Sequence, residues 1–185
     1  MSTLPDMLEN VFGRILHGWS RDPEGRAMPF QVVEFAHPSG ERTFATLGLS
    51  RVELCRSSCD CVQREELFIR VRPESLMAIP AILQDLGLET IRRGLGHSHG
   101  QIIGPRGPLA EGSQCTALMC LVNDVGSTNP LVVTPDEGCP ITLCRVLPIT
   151  DAEIALVRDH GMAKFDAVLR TTPVDLTDLS RPSCD

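Results

Sequence analysis

Residues 29–50 read PFQVVEFAHPSGERTFATLGLS. The opening part is β-branched and aromatic, the composition of a half-buried strand. Pro38, Ser39 and Gly40 supply turn chemistry, and RTFATL returns as a second strand. An antiparallel hairpin over 30–36 and 42–47 is therefore expected. TLGLS closes it. Thr46 ends the strand, and Gly48 lets the backbone leave the sheet. Leu49 reads as a buried apolar residue and Ser50 as a local hydrogen bonder.

Upstream of the hairpin, Leu4, Met7, Leu8, Val11, Phe12, Ile15 and Trp19 recur at steps of three and four. That spacing predicts one helix ending at Gly18, capped by Ser2 or Thr3 with Pro5 in its first turn. Downstream, residues 50–63 read as a polar, cysteine-bearing loop. EELFIRV at 65–71 is a third strand, with Leu67, Ile69 and Val71 on one apolar face and Glu66, Phe68 and Arg70 on the other. A second helix follows, capped by Ser75, with a stripe of Leu76, Ile79, Leu83 and Leu86 and a kink expected at Pro80. Residues 94–112 form a long Gly/Pro loop with at most a short strand at 101–103; loops of that length are usually functional or mobile.

CTALMCLV, LVVTP and ITLCRVLPI are three further strands, the first two separated by a turn at NDVGSTNP. Thr150 to Glu153 is a capping box that opens one last helix, with Ile154, Val157, Gly161, Phe165 and Val168 as its stripe. The order implies an α+β fold: a mostly antiparallel sheet of about six strands, packed by N-terminal, middle and C-terminal helices. The 185 residues fit one domain, over 1–172, with a polar tail over 173–185.

Composition excludes several function classes. The net charge is −7 and the only adjacent basic pair is Arg92-Arg93, so no basic footprint for nucleic acid is visible. Aromatics are 4% of residues, too few for base-stacking platforms. No run of 18 apolar residues is present, so no membrane span is expected. Residues 1–10 carry no Lys or Arg and no apolar signal core follows, so a cytosolic location with reduced cysteines is expected. An acidic surface suits solubility, and it also suits a basic protein partner.

Three constellations invite a chemical reading. Gly96-His-Ser-His-Gly100 matches the G-x-S-x-G nucleophile pattern, and Ser98, Asp136 or Asp151, and His160 follow in triad order. The elbow needs a strand entering the serine and a helix leaving it; a helix end precedes Ser98 and Gly/Pro-rich chain follows. A catalytic serine is therefore not expected. His97 and His99 could offer two metal ligands, but no Asp or Glu lies between Glu89 and Glu111, and a solvated loop is expected instead. Cys55, Cys59 and Cys61 cluster, and Cys115/Cys120 and Cys139/Cys144 pair, without the tight knuckle spacing of zinc sites. Cys115, Cys120 and Cys144 sit in apolar runs and read as small core residues. No catalytic, cofactor or metal residues are expected.

The segments taken together resemble the suppressor of fused family. PFQVVEFAHPSGERTFATLGLS resembles its first hairpin, ending in T-L-G-x-S, and REELFIRV its next strand. HGQIIGPRGPLAEGSQCTALMCL, CRVLPITDAEIALVRDHG and DLSRPS match later family segments in order. The resemblance implies a non-catalytic, protein-binding module of the short, single-module bacterial type, many of which look like immunity proteins that neutralise polymorphic toxins. It implies no catalytic or partner-binding residues to carry over. The partner surface is expected at acidic groups and the 94–112 loop. The alternatives are a serine hydrolase acting through Ser98 and His160, or a regulator of a transcription factor.

Overall fold

A computed structural model describes residues 2–37, 40–56, 59–73, 78–123, 129–136 and 138–184, without the side chains of Cys59 and Asp60. The expected turn residues Pro38 and Ser39, the cap at Ser75 with Leu76, and the turn at 124–128 lie outside the described residues.

The fold is α+β. Among the described residues, the main sheet has eight strands: β1 (Arg14–Arg21), β2 (Ala27–Ala36), β3 (Arg42–Leu47), β6 (Glu65–Val71), β7 (Gln101–Ile103), β8 (Cys115–Leu121), β9 (Val132–Val133) and β10 (Ile141–Thr150). Their order is β1-β2-β3-β6-β10-β8-β7, with β9 on β10. Neighbours are antiparallel except β6 and β10, which run parallel with Glu65 beside Thr142. A small hairpin, β4 (Leu54–Arg56) with β5 (Cys59–Gln63), lies apart and occupies part of the expected 50–63 loop.

Helices cover both faces of the sheet. Helix α2 (Ile79–Arg93) buries Ile79, Leu83 and Leu86 against Phe30, Phe44, Leu67, Ile69 and Cys120. On the opposite face, α1 (Leu4–Phe12) packs Leu8 and Phe12 against Val33, Phe35 and Phe68. Phe12 meets Phe68 at a ring distance of 4.8 Å and Phe35 at 5.5 Å. Helices α3 (Asp151–His160) and α4 (Met162–Thr171) cover the far end of that face through Ile154 and Phe165. Central strands are thus covered on both sides, which is why β8 reads as a nearly continuous hydrophobic run.

The structure corrects the sequence reading of several elements. The first helix stops at Phe12, and Ile15 to Trp19 belong to β1. The break is at Gly13, whose φ is +99° and where a Cβ would stand 2.1 Å from the Ala36 carbonyl oxygen, so the helical path cannot continue. Pro80 does not kink α2 but sits in its first turn, where a missing N–H costs nothing. The final helix is two, divided at Gly161. Glu66, read on the face opposite Leu67, Ile69 and Val71, is 1% exposed.

The last residues are polar in composition yet packed on the body. Leu179, Arg181 and Cys184 are buried. Arg72 N donates to Thr177 O at 3.0 Å and Ser113 Oγ to Leu179 O at 2.8 Å.

Candidate functional site

Three buried carboxylates organise the molecule, and two of them account for motifs seen in the sequence. The first is Glu66. Its oxygens accept from Thr46 Oγ1 (2.6 Å), Gly48 N (2.9 Å), Leu49 N (3.3 Å), Ser50 N (3.1 Å) and Ser50 Oγ (2.7 Å). TLGLS is therefore a carboxylate nest: Gly48, at φ +103°, turns three successive amides inward, and the two hydroxyls complete the set. Thr46 Oγ1 also accepts from Leu67 N at 2.9 Å, which locks the nest to β6. Burial holds the Glu66 carboxyl above its usual range, against the hydrogen bonds from Thr46, Ser50 and Gly48, which favour the ionised form. The three backbone amides can only donate, so they favour the carboxylate.

The second is Glu153 of the capping box. It is fully buried and accepts both Arg181 Nη atoms, Nη2 at 2.8 Å, together with Thr150 N and Cys184 N at 3.0 Å each. Arg181 Nη2 also donates to Pro148 O at 3.1 Å. Thus the TDAE and DLSRPS segments are two halves of one clamp. Burial works against the charge on Glu153, but the Arg181 guanidinium overrides it and holds the carboxyl below its usual range.

The third is Glu65, also fully buried. Gln63 Nε2 donates to Oε2 at 2.7 Å, as does His97 N at 3.1 Å, and His97 Nδ1 meets Oε1 at 2.7 Å. Cys120 of β8 and Cys144 of β10 lie beside the ring; the ligating atoms of His97 and the two cysteines fall within 4.8 Å of one another. Burial works to lower the His97 pKa, yet the Cys120 and Glu65 contacts raise it to about 10. Cys144 first, and then His97, bring the Cys120 thiol down to about 6, while Cys144 itself is pushed well up.

None of this cluster was assembled from the sequence. His97 was expected in a solvated loop; it is buried, while His99 points outward with Nδ1 accepting from Asn123 N at 3.4 Å. Cys115, Cys120 and Cys144 are core residues, as their apolar runs suggested. Cys55, Cys61 and Cys139 are exposed, and the side chain of Cys59 lies outside the described residues.

The chain around Ser98 does not form the elbow that a triad needs. Ser98 sits between the end of α2 and β7, so a helix enters and a strand leaves, the reverse of a nucleophile elbow. Asp151 Oδ1 accepts from Thr116 Oγ1, Asp136 Oδ2 accepts from Ser2 N at 2.7 Å, and His160 is exposed at the end of α3.

The 94–112 loop is tied down along its length. Gly100 N donates to Cys120 O (2.8 Å), Arg106 N to Thr116 O (3.0 Å) and Leu109 N to Cys115 O (3.0 Å). Leu109 and Ala110 pack on the core. Between this loop and α2 runs a groove of about 230 Å³, with Ile82, Ile103, Leu109 and Ala117 in its walls and Asp85 and Arg106 at its rim. Arg106 Nη2 pairs with Glu89 Oε2 at 3.0 Å. No helix among the described residues is long and apolar enough to cross a membrane.

The family model described as suppressor of fused protein matches residues 26–182. No curated protein sequence matches the chain. Solved structures do. A chain of the Sufu–Fu complex is 17% identical with a TM-score of 0.70, over 98% of this chain and 90% of that one. A suppressor of fused homolog from Neisseria gonorrhoeae FA 1090 is 16% identical with a TM-score of 0.71, over 96% and 92%. Drosophila Suppressor of Fused is 18% identical with a TM-score of 0.69; 98% of this chain matches, and it spans 50% of the Drosophila chain. At these identities the likeness is one of fold.

Proposed function

Because the chain belongs to the suppressor of fused family, we propose that it is a non-catalytic module that binds and restrains another protein. The observation that carries this reading is the shared fold with a chain solved in a protein complex, that of Sufu with Fu. Residues 1–172 make the module, and the segment after them straps it. The net charge of −7 suits a basic protein partner, and the resemblance to short bacterial members of the family favours a polymorphic toxin held by a cytosolic immunity protein.

Catalysis is not part of the proposal. Ser98 lacks both flanks of an elbow, and the fluorophosphonate probe expected to label an activated serine is expected to leave this protein unlabelled. Labelling that disappears in Ser98→Ala would overturn the non-enzymatic reading.

Docking is assigned to the groove between α2 and the 94–112 loop. Its walls are apolar, its rim carries exposed Asp85, and loops on a rigid scaffold are common recognition elements. Excising the loop is a poor test, because its backbone bonds to β8 and Leu109 belongs to the core. A point change is cleaner. With the partner captured from the native host, Asp85→Arg is expected to weaken binding about tenfold, with association slowed further by salt in the unsubstituted protein. Thermal unfolding should not move, since Asp85 is exposed. Unchanged affinity would place the docking surface elsewhere on the domain.

A further inference from the structure

We propose that His97, Cys120 and Cys144 form a binding site for a single thiophilic d¹⁰ metal ion, Zn(II) or Cu(I), buried between the 94–112 loop and the sheet. The inference stands whether or not the groove binds a partner.

The geometry carries it. The three ligating atoms lie within 4.8 Å of one another, and all three residues are buried. Ligands held at about 2.3 Å from a common ion stand about 3.8 Å apart at tetrahedral angles, so side-chain adjustments of about an ångström close the site. The cysteines are placed by the sheet itself. Cys120 pairs with Val146 across β8 and β10, and Cys144 lies two residues from Val146 on the same face of β10. Both thiols thus emerge on the α2 side, where His97 descends on them.

The surrounding groups match what a metal-bound histidine needs. Nδ1 is taken by Glu65 Oε1 at 2.7 Å, which leaves Nε2 for the ion. A carboxylate on the far nitrogen fixes the ring and strengthens its donor character. Glu65 is itself fixed by Gln63 Nε2 and by His97 N, while the buried Gln63 Oε1 beside it has no hydrogen-bond partner. Two sulfurs and one imidazole select soft or borderline ions over calcium and magnesium. Binding needs a neutral imidazole and two thiolates, so it displaces to solvent whatever protons His97, Cys120 and Cys144 hold, and it involves no electron transfer.

The bound ion would pin the start of the loop to β8 and β10. Its sequence signal is faint, because the ligands come from three separate segments and none shows knuckle spacing. The absence of such spacing excludes a zinc knuckle, but not a site assembled by the sheet.

The test uses full-length protein in which Cys55→Ser, Cys59→Ser, Cys61→Ser and Cys139→Ser remove competing thiols. The protein is reduced and titrated anaerobically with Cu(I) and, separately, with Zn(II), each against a chromogenic chelator. One ion per chain is expected in at least one titration. X-ray absorption at the metal edge should show two sulfurs and one imidazole nitrogen. Glu65→Gln should lower the affinity by about 10–100-fold while keeping that ligand set. Failure of both ions to bind at one per chain, a ligand set without the two sulfurs, or an affinity indifferent to Glu65→Gln would each overturn the proposal. The absorption measurement on the unsubstituted protein decides the matter if a variant does not fold.

Discussion

Arg181→Met is expected to destabilise the protein by about 3–5 kcal/mol, the usual penalty for stranding one member of a buried ion pair. Arg181 is 3% exposed and Glu153 is fully buried, so solvent cannot take over the lost contact. Methionine approximates the aliphatic stem and removes the guanidinium. Glu153 then keeps only the backbone amides of Thr150 and Cys184. The pH dependence should invert. In the unsubstituted protein the Glu153 carboxyl is held below its unfolded value. Its contribution is therefore full above the ordinary carboxylate range and is lost as pH falls through the depressed folded value. In Arg181→Met, burial is opposed only by the two amides and lifts the carboxyl, so the penalty is present at neutral pH and is relieved on acidification. The gap in unfolding free energy between the two proteins should narrow from pH 7 to pH 4. A gap below about 1 kcal/mol at neutral pH, or one that widens in acid, would show that the clamp is not what holds the C-terminal segment.

Glu66→Gln is the second large effect, expected at about 2–4 kcal/mol. The change is nearly isosteric, so packing is not the cause. One carboxylate oxygen becomes an NH2 group that faces donors: the amides of Gly48, Leu49 and Ser50 and the hydroxyls of Thr46 and Ser50. At least two of those donors lose their acceptor in a site closed to water. Ser50→Ala, which removes a single donor and leaves the carboxylate intact, should cost only about 1 kcal/mol. Denaturant midpoints for the two variants give the comparison. Were Glu66→Gln as stable as the parent, the carboxyl would be protonated in the folded protein and the nest assignment would fail.

The strands and their hairpin were legible because alternation and turn chemistry are local signals. Residues 30–36, 42–47 and 65–71 fall within β2, β3 and β6 as anticipated. Element ends were less legible where two patterns overlap. Ile15 and Trp19 continue the helical spacing of Leu8 and Phe12, and only Gly13 between them marks the change to a strand. Phe165 continues the stripe of Ile154 in the same way, across the division at Gly161. The buried polar centres were not legible at all. Glu66 read only as a residue on the alternate face of its strand, since its donors belong to another segment. Glu65, His97, Cys120 and Cys144 come from four places along the chain, and only the strand register brings them together. TLGLS was recognisable as a signature, while its purpose became plain only with the carboxylate in place.

The parallel pairing of β6 with β10 has a consequence for how the chain finds this structure. Strands β1, β2, β3 and β6 zip along short sequence distances, as do β7 and β8, whereas β6 and β10 must meet with more than a third of the chain looped out between them. Loop-closure entropy is spent there before any contact is gained. The sheet is thus two ribbons that can each form early, joined by a seam that forms late. The Glu65 cluster lies along that seam, with its carboxylate on one ribbon and its thiols on the other, so its contacts arise only once the halves have found each other.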